Sequence, residues 1–159
     1  MLRAVLESIH LLSIIVWVGG MFFAVFCLRP ALGVLEPAAR LRLMHEVLRR
    51  FFGAVTIAVV LVLLTGGAML ASTMQSAASS GAPFGLPPAW HVMVILGLVM
   101  VGVYVHVRIT LFARLRRAVA AQDGPAGAAA LAGVRFWVQI NVALGALIVV
   151  AMTVGTALR

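Results

Sequence analysis

Long stretches without any charged side chain constrain the fold of this chain more than any other feature. Phe51 to Val107 contains no Asp, Glu, Lys or Arg, and neither does Ser8 to Leu28 or Phe136 to Leu158. A helix that crosses the ~30 Å hydrocarbon layer of a bilayer needs about 20 apolar residues. The two terminal stretches therefore each fit one crossing, and the central one holds two crossings with a loop between them.

The composition favours the same interpretation. Hydrophobic residues make up 64% of the chain and charged residues only 10%, whereas a soluble domain has about 25% charged residues on average. The sequence predicts an all-α protein with a single membrane domain, a four-transmembrane-helix bundle with crossings at 5–28, 51–74, 89–111 and 135–157. The apolar N-terminal run is longer than the 7–15-residue core of a signal peptide, so we expect a retained helix.

The segment between the first two crossings has its own pattern. Arg29-Pro30 is expected to end the first crossing, because proline cannot continue the helical hydrogen-bond ladder. The following AARLRLMHEVLRRF alternates apolar and arginine positions at helical spacing, which predicts a short amphipathic helix at the membrane surface that runs into the second crossing. The uncharged QSAASSGAPFGLPP at 75–88 predicts a loop. Paired glycines at Gly19-Gly20 and Gly66-Gly67 predict close helix packing.

Arginines determine the expected orientation. The regions between crossings one and two and between three and four carry five arginines each, the 75–88 loop carries none, and each terminus carries one. The positive-inside rule then places both termini and the 75–88 loop on the periplasmic or outer side. The net charge of +8 is interpreted as a topology signal, and we expect a lipid bilayer and no nucleic acid as partner. The ten inner arginines are Arg29, Arg40, Arg42, Arg49, Arg50, Arg108, Arg114, Arg116, Arg117 and Arg135.

Polar side chains within a bilayer are costly and are therefore candidate functional residues. Depth separates the histidines: His10 is expected ~8 Å below the outer surface, His91 ~3–5 Å below it, and His106 ~22 Å further down, near the inner surface. His45 lies on the amphipathic segment and is expected to be solvated. The candidates are Glu7, His10, His91, His106, Arg108 and Arg135, with Gln139 and Asn141 as polar neighbours.

His10 and His91 form the candidate metal-binding pair, because they lie at similar height on different helices. Two imidazoles can hold a haem iron axially or contribute to a copper site. Glu7, three residues before His10, could accept a hydrogen bond from the other ring nitrogen or only anchor the helix end. Trp17 lies on the same stripe as His10, where helix packing is the simpler interpretation, and Met93 adds a thioether near His91. Each histidine could alternatively be a polar residue at head-group level.

Other chemistry has little support. The chain has no P-loop, G-x-S-x-G, H-E-x-x-H or C-x-x-C motif. Its single cysteine, Cys27, excludes an intrachain disulfide and is expected to be a small packing residue.

The segment LESIHLLSIIVWVGGMFFAVFCLRPAL resembles the first helix of the copper-resistance protein D (CopD) family of bacterial inner-membrane proteins. The layout is also similar to HemJ-like four-helix protoporphyrinogen oxidases that bind haem b, with further parallels in LRLMHEVLRRFFGAVTIAVVLVLLTGG, in Trp90-His91 and in ITLFARLRR. The HemJ resemblance implies that His10 is a haem ligand and that His91 opens the third helix. HemJ-like proteins carry a lysine two residues after that histidine, where this chain has Met93.

Three hypotheses follow. The first is a membrane-embedded b-type haem-binding redox protein, with iron held near the periplasmic face by His10 and either His91 or Met93. Such a protein would transfer electrons to or from a quinone or porphyrin, with or without a HemJ-like oxidoreductase activity. A homodimer could enclose the haem. The second is a CopD-like copper transport or copper-resistance protein in the bacterial inner membrane. The third is a non-catalytic scaffold.

Overall fold

The computed structural model describes residues 1–81 and 85–157, and within these ranges the chain is an all-α bundle of four long helices. Ala82 to Phe84, in the predicted 75–88 loop, and the C-terminal Leu158 and Arg159 lie outside the described residues. The four helices are α1 (Leu2–Val34), α2 (Pro37–Ser80), α3 (Pro88–Ala120) and α4 (Gly124–Ala157). All four are long and apolar enough to cross a membrane, which confirms the predicted fold class.

Helix α1 continues beyond the point where it was expected to stop. Helical structure passes through Pro30 to a final 3₁₀ turn at Leu32–Val34. A π-helical turn at Ala24–Leu28 ends two residues before the proline. Such a wider turn accommodates a residue that lacks a backbone N–H and clashes with the preceding turn. A second π-helical turn, Ile15–Gly19, lies at mid-helix around Trp17.

The amphipathic segment that was expected to run into the second crossing forms the first part of α2. Pro37 occupies the first turn, where its missing N–H costs nothing, and the helix runs without a break to Ser80. No proline after Pro37 interrupts the hydrogen-bond ladder, so the amphipathic segment and the second crossing form one continuous helix. The helix also extends past Gln75, and it ends where Gly81 adopts φ 66°, the left-handed C-terminal cap that glycine favours.

Helices α3 and α4 are joined by a tight connection. Helix α3 contains a π-helical turn at Val107–Leu111 and ends at Ala120. The Asp123 carboxylate then accepts a hydrogen bond from the Ala126 N–H at 2.9 Å, so it caps the start of α4. Helix α4 consequently begins well before the apolar stretch that predicted it.

The helices pack as two antiparallel pairs, α1 on α2 and α3 on α4, around one core. Glycines allow several of the close approaches: a methyl group at Gly20 would lie 2.5 Å from the Phe51 ring, and one at Gly155 would lie 2.6 Å from the Ala89 Cβ. In each Gly-Gly pair one glycine contacts another helix and the other does not. Gly20 and Gly66 are in contact, whereas Gly19 and Gly67 have open space beside them. Small residues are the usual means of close helix packing in membranes.

The outer surface of the bundle is apolar. Ile57, Leu64, Ile95 and Ile109 are each 60% or more exposed. A hydrophobic surface of this extent is expected for a protein that lipid surrounds.

Candidate functional site

His10 lies on α1 and is held against the middle of α2. Its Nδ1 is 2.9 Å from the Thr65 hydroxyl oxygen, and a methyl group at Gly66 would lie 3.2 Å from its Cε1. The absence of a side chain at Gly66 thus gives the imidazole its space. His10 is half-buried, whereas Thr65 is only 5% exposed.

The hydrogen bonds of Thr65 determine the His10 tautomer. The Thr65 hydroxyl donates its single proton to the Leu61 carbonyl at 2.6 Å, so its oxygen is an acceptor for the His10 Nδ1–H. The lone pair of the imidazole is then on Nε2. A histidine whose Nδ1–H is bonded to a neighbour is the usual form of a metal-ligating imidazole.

Glu7 does not supply that supporting hydrogen bond. Its carboxylate accepts from Arg3 at 2.9 Å on the exposed surface of the same helix. The spacing of four residues brings these two side chains together. The hydrogen bond that orients His10 therefore comes from the neighbouring helix, through Thr65, and Glu7 anchors the helix end with Arg3.

His91 matches His10 in height but has different surroundings. Val18 and Met100 both approach Gly145, where a methyl group would lie 3.0 Å from one and 3.5 Å from the other. At 1.5 Å per residue, His10 and His91 lie about 12 and about 14 Å beyond this level, toward the same end of the bundle. His91 is exposed, and its Nδ1 is 3.3 Å from the Pro87 carbonyl of its own helix. Met93, two residues on, is partly buried.

A second group of polar and thioether side chains lies deeper, at the centre of the bundle. Asn141 on α4 is 2% exposed. Its Nδ2 donates to the Met100 carbonyl of α3 at 3.3 Å and contacts the Met21 sulfur of α1 at 3.8 Å. Its Oδ1 is buried without a hydrogen-bond partner. A buried acceptor left unpaired is costly, so this atom is a candidate ligand.

Trp17 belongs to the core beside this group. It is 3% exposed and makes an edge-to-face contact with Tyr104, with the ring centroids 6.1 Å apart. Together with Met21, Phe52 and Asn141 it lines a cavity of about 10 Å³. A cavity of this size holds about one water molecule or one small ion.

Two hydroxyls continue the polar series toward the arginine-rich end. Thr56 donates to the Phe52 carbonyl at 2.6 Å, and the Tyr104 hydroxyl lies 2.6 Å from the Thr56 oxygen. Since the Thr56 proton is already donated, Tyr104 is the donor to Thr56. The bundle interior thus carries polar groups at three heights: His10 with Thr65, Asn141 with Met21, and Tyr104 with Thr56.

The expectation that His45 is solvated was wrong. Its ring stacks on Phe112 at 5.4 Å with an interplanar angle of 6°, and its Nε2 is buried without a partner. The reason is that its segment is part of α2 and packs against α3.

The remaining candidate functional residues are exposed on the surface or only partly buried. His106 is exposed with its ring 5.3 Å from that of Trp137. Arg135 and Arg108 are exposed, and Gln139 is partly buried. Among the residues that the structure describes, no group of three or more His, Cys, Asp or Glu side chains could hold a metal ion.

Sequence reasoning did not find Thr65, Met21 or Met100 as site residues. Thr65 is a polar residue in an uncharged run, directly before a Gly-Gly pair. That position was the one signal by which the sequence could have marked Thr65 as a site residue. The methionines carried none, because scattered methionine is common hydrophobic filler. Their relation to Asn141 depends on three helices meeting at one height.

The comparisons with known proteins identify the family. The family model described as "Copper resistance protein D" (CopD) matches residues 45–155. No curated protein and no solved structure matches the chain. The matched region contains almost all of α2 together with α3 and nearly all of α4, and therefore Thr65, Met100 and Asn141. Helix α1, with His10 and Met21, precedes it. Since the match extends over more than half of the sequence, this chain belongs to the copper resistance protein D family.

Proposed function

We propose that this membrane protein binds copper as Cu(I) inside the helix bundle and takes part in moving it across the membrane. The observation that carries the proposal is the match to the copper resistance protein D family across α2, α3 and α4. The second hypothesis from the sequence, copper transport or resistance, is thus better supported than the first, haem-based redox function.

The chemistry of the interior groups supports a soft cation. Cu(I) favours thioether ligands, and imidazole also suits copper. His10 has its Nε2 lone pair free to act as a ligand, and Met21 presents a thioether beside the unpaired Asn141 oxygen. Met21 lies about 16 Å along α1 from His10, so the two groups serve as successive positions for the ion.

The direction of the pathway follows from the arginines. We infer that the protein lies in a bacterial inner membrane with both termini in the periplasm, because ten arginines cluster at the opposite side. His10 is then the position nearer the periplasm, and the Asn141 group lies deeper in the bilayer.

Competition with a chromophoric Cu(I) chelator on the purified, detergent-solubilised protein tests the proposal. We expect one Cu(I) to bind, His10→Ala to weaken binding by about 100-fold or more, and Met21→Leu by about tenfold, since ligands and their supporting groups each contribute 10–100-fold in metal affinity. His106→Ala and Met74→Leu are matched controls on exposed side chains. Wild-type protein without measurable Cu(I) affinity would contradict the proposal.

The absorption spectrum of the same preparation decides the haem hypothesis. Haem b axially held by His10 and His91 remains a prediction, motivated by the matching height of the two residues. If it is right, protein expressed with added haem shows a Soret band that His10→Ala removes. A protein that binds neither copper nor haem would support the scaffold hypothesis.

A further inference from the structure

A cavity of about 370 Å³ lies between α2 and α3 at the arginine-rich end of the bundle, beside the hydroxyls of Thr56 and Tyr104. Arg108 and Arg116 line it, together with the apolar side chains of Ile109 and Phe112. Its volume falls in the range of small-molecule sites. Ile109 is 66% exposed and Arg108 is also exposed, so the cavity opens to the lipid-facing side.

The two arginines have no acidic partner among the residues that the structure describes. Among the described residues, the ion pairs join Arg3 with Glu7 and Glu46 with Arg49 and Arg50. Arg108 and Arg116 therefore bring two uncompensated positive charges to one cavity. A pair of guanidinium groups is well suited to bind the oxygens of a phosphate.

An aromatic cluster holds Arg108 in place. Its guanidinium carbon lies 5.8 Å from the Phe52 ring centroid and 5.4 Å from that of Phe112. These two rings contact each other at 5.1 Å, and Phe112 is stacked on His45. Contacts over ring faces fix the arginine without neutralising it, which leaves its hydrogen-bond donors available for a ligand.

The depth of the cavity matches a lipid phosphate. Arg108 lies about 30 Å along α3 from Pro88, and this length equals the thickness of the hydrocarbon layer. With α3 crossing the bilayer, the guanidinium of Arg108 is at the boundary between acyl chains and head groups.

We propose that this cavity binds the phosphate of an anionic phospholipid through Arg108 and Arg116, with the acyl chains along the exposed side chain of Ile109. Basic pockets between membrane helices on the cytoplasmic side are suited to anionic head groups. The opening toward lipid favours a phospholipid over a soluble phosphate.

Native mass spectrometry of the full chain in detergent tests the assignment with three probes: dioctanoyl phosphatidylglycerol, dioctanoyl phosphatidylcholine and inorganic phosphate. We expect phosphatidylglycerol to bind most tightly. Each of Arg108→Gln and Arg116→Gln should weaken its binding by about fivefold, and the double variant by about 30-fold, the effect of one charge contact per arginine.

Arg114→Gln with Arg117→Gln is the matched control, because it removes two charges from the same helix at positions that do not line the cavity. This double variant should keep the wild-type affinity within about twofold, and the thermal unfolding temperature of every variant establishes that it is folded. Equal losses of phosphatidylglycerol affinity in the two double variants would overturn the proposal, because net charge alone would then explain the binding. Equal affinity for phosphatidylcholine, or inorganic phosphate bound as tightly as the lipid, would overturn it as well.

Discussion

At the scale of single residues, His10 is a candidate from the sequence to which the structure adds a hydrogen-bond partner. A histidine near the start of an apolar helix is a candidate functional residue, because placing an ionisable side chain within the bilayer is costly. The sequence does not reveal its partner, because Thr65 is distant along the chain and belongs to another helix. Thr65 fixes the ring through one hydrogen bond of 2.9 Å while donating its own proton to Leu61.

Removing that hydrogen bond should weaken metal binding and leave the fold intact. Thr65→Val keeps the shape of the side chain and deletes the acceptor of the His10 Nδ1–H. We expect Cu(I) affinity to fall by about 10–100-fold, as for other groups that orient a metal-bound histidine. Chelator competition measures the affinity. Thr73→Val is the control on the same helix, since Thr73 bonds only to the Met69 carbonyl, and an equal loss there would contradict the role of Thr65.

Asn141 should show the opposite relation between stability and binding. Its Oδ1 is buried and unpaired, so Asn141→Leu removes a costly polar group from the core while abolishing a candidate ligand. The variant also deletes the bond from Nδ2 to the Met100 carbonyl, but that bond is long at 3.3 Å, whereas a buried polar atom left unpaired costs about 1–3 kcal/mol. We therefore expect an unchanged or higher unfolding temperature together with weaker Cu(I) binding. A lower unfolding temperature with unchanged binding would assign Asn141 to packing alone.

At the scale of helices, the glycine pairs explain how α1 approaches α2. Both pairs were expected to mark close packing, and the structure adds that one member of each pair is in contact. Gly20 faces the Phe51 ring and Gly66 faces the His10 ring, whereas Gly19 and Gly67 face open space. The sequence cannot tell which member is in contact, because that depends on the rotation of each helix.

Each pair therefore offers a substitution and its neighbour as control. Gly20→Ala places a methyl group 2.5 Å from Phe51, and we expect a loss of about 1–3 kcal/mol in the free energy of unfolding, as for other overpacked contacts. Gly19→Ala should be neutral or stabilising because alanine favours helix. Thermal unfolding in detergent compares the two, and equal effects would contradict the helix contact.

Substitutions in the second pair, Gly66-Gly67, test the position of the His10 imidazole and not the packing of the fold. A methyl group at Gly66 would crowd His10 at 3.2 Å, whereas one at Gly67 meets nothing within 4 Å. We expect Gly66→Ala to lower Cu(I) affinity by about tenfold through displacement of the ring, and Gly67→Ala to leave it unchanged. If both variants bind like wild type, the position of the imidazole does not matter for binding.

At the scale of the whole molecule, the arginine distribution predicts which ends of the helices face the cytoplasm. In a Cys27→Ala background, Ser79→Cys reports on the end of α2 and Ala121→Cys on the connection between α3 and α4. A membrane-impermeant maleimide should label Ser79→Cys in intact spheroplasts and Ala121→Cys only after the membrane is opened. The reverse labelling would invert the topology.

The number of helices and the fold class followed from the charge-free stretches, since hydrocarbon admits few alternatives to a helix. The helix ends were less predictable. The amphipathic pattern predicted the helical start of α2, but α4 begins in the Gly- and Ala-rich segment after Asp123, where the sequence pattern did not mark a helix. The Met21, Met100 and Asn141 group and the arginine-lined cavity result from contacts among different helices, which one sequence does not specify.

The most direct test of the copper proposal is flux into proteoliposomes that contain a Cu(I)-responsive dye. With buffered Cu(I) outside, we expect wild-type protein to raise the internal signal well above that of empty liposomes. His10→Ala should reduce the rate to near the empty level, and His106→Ala should not. Equal rates for wild type, His10→Ala and empty liposomes would contradict it.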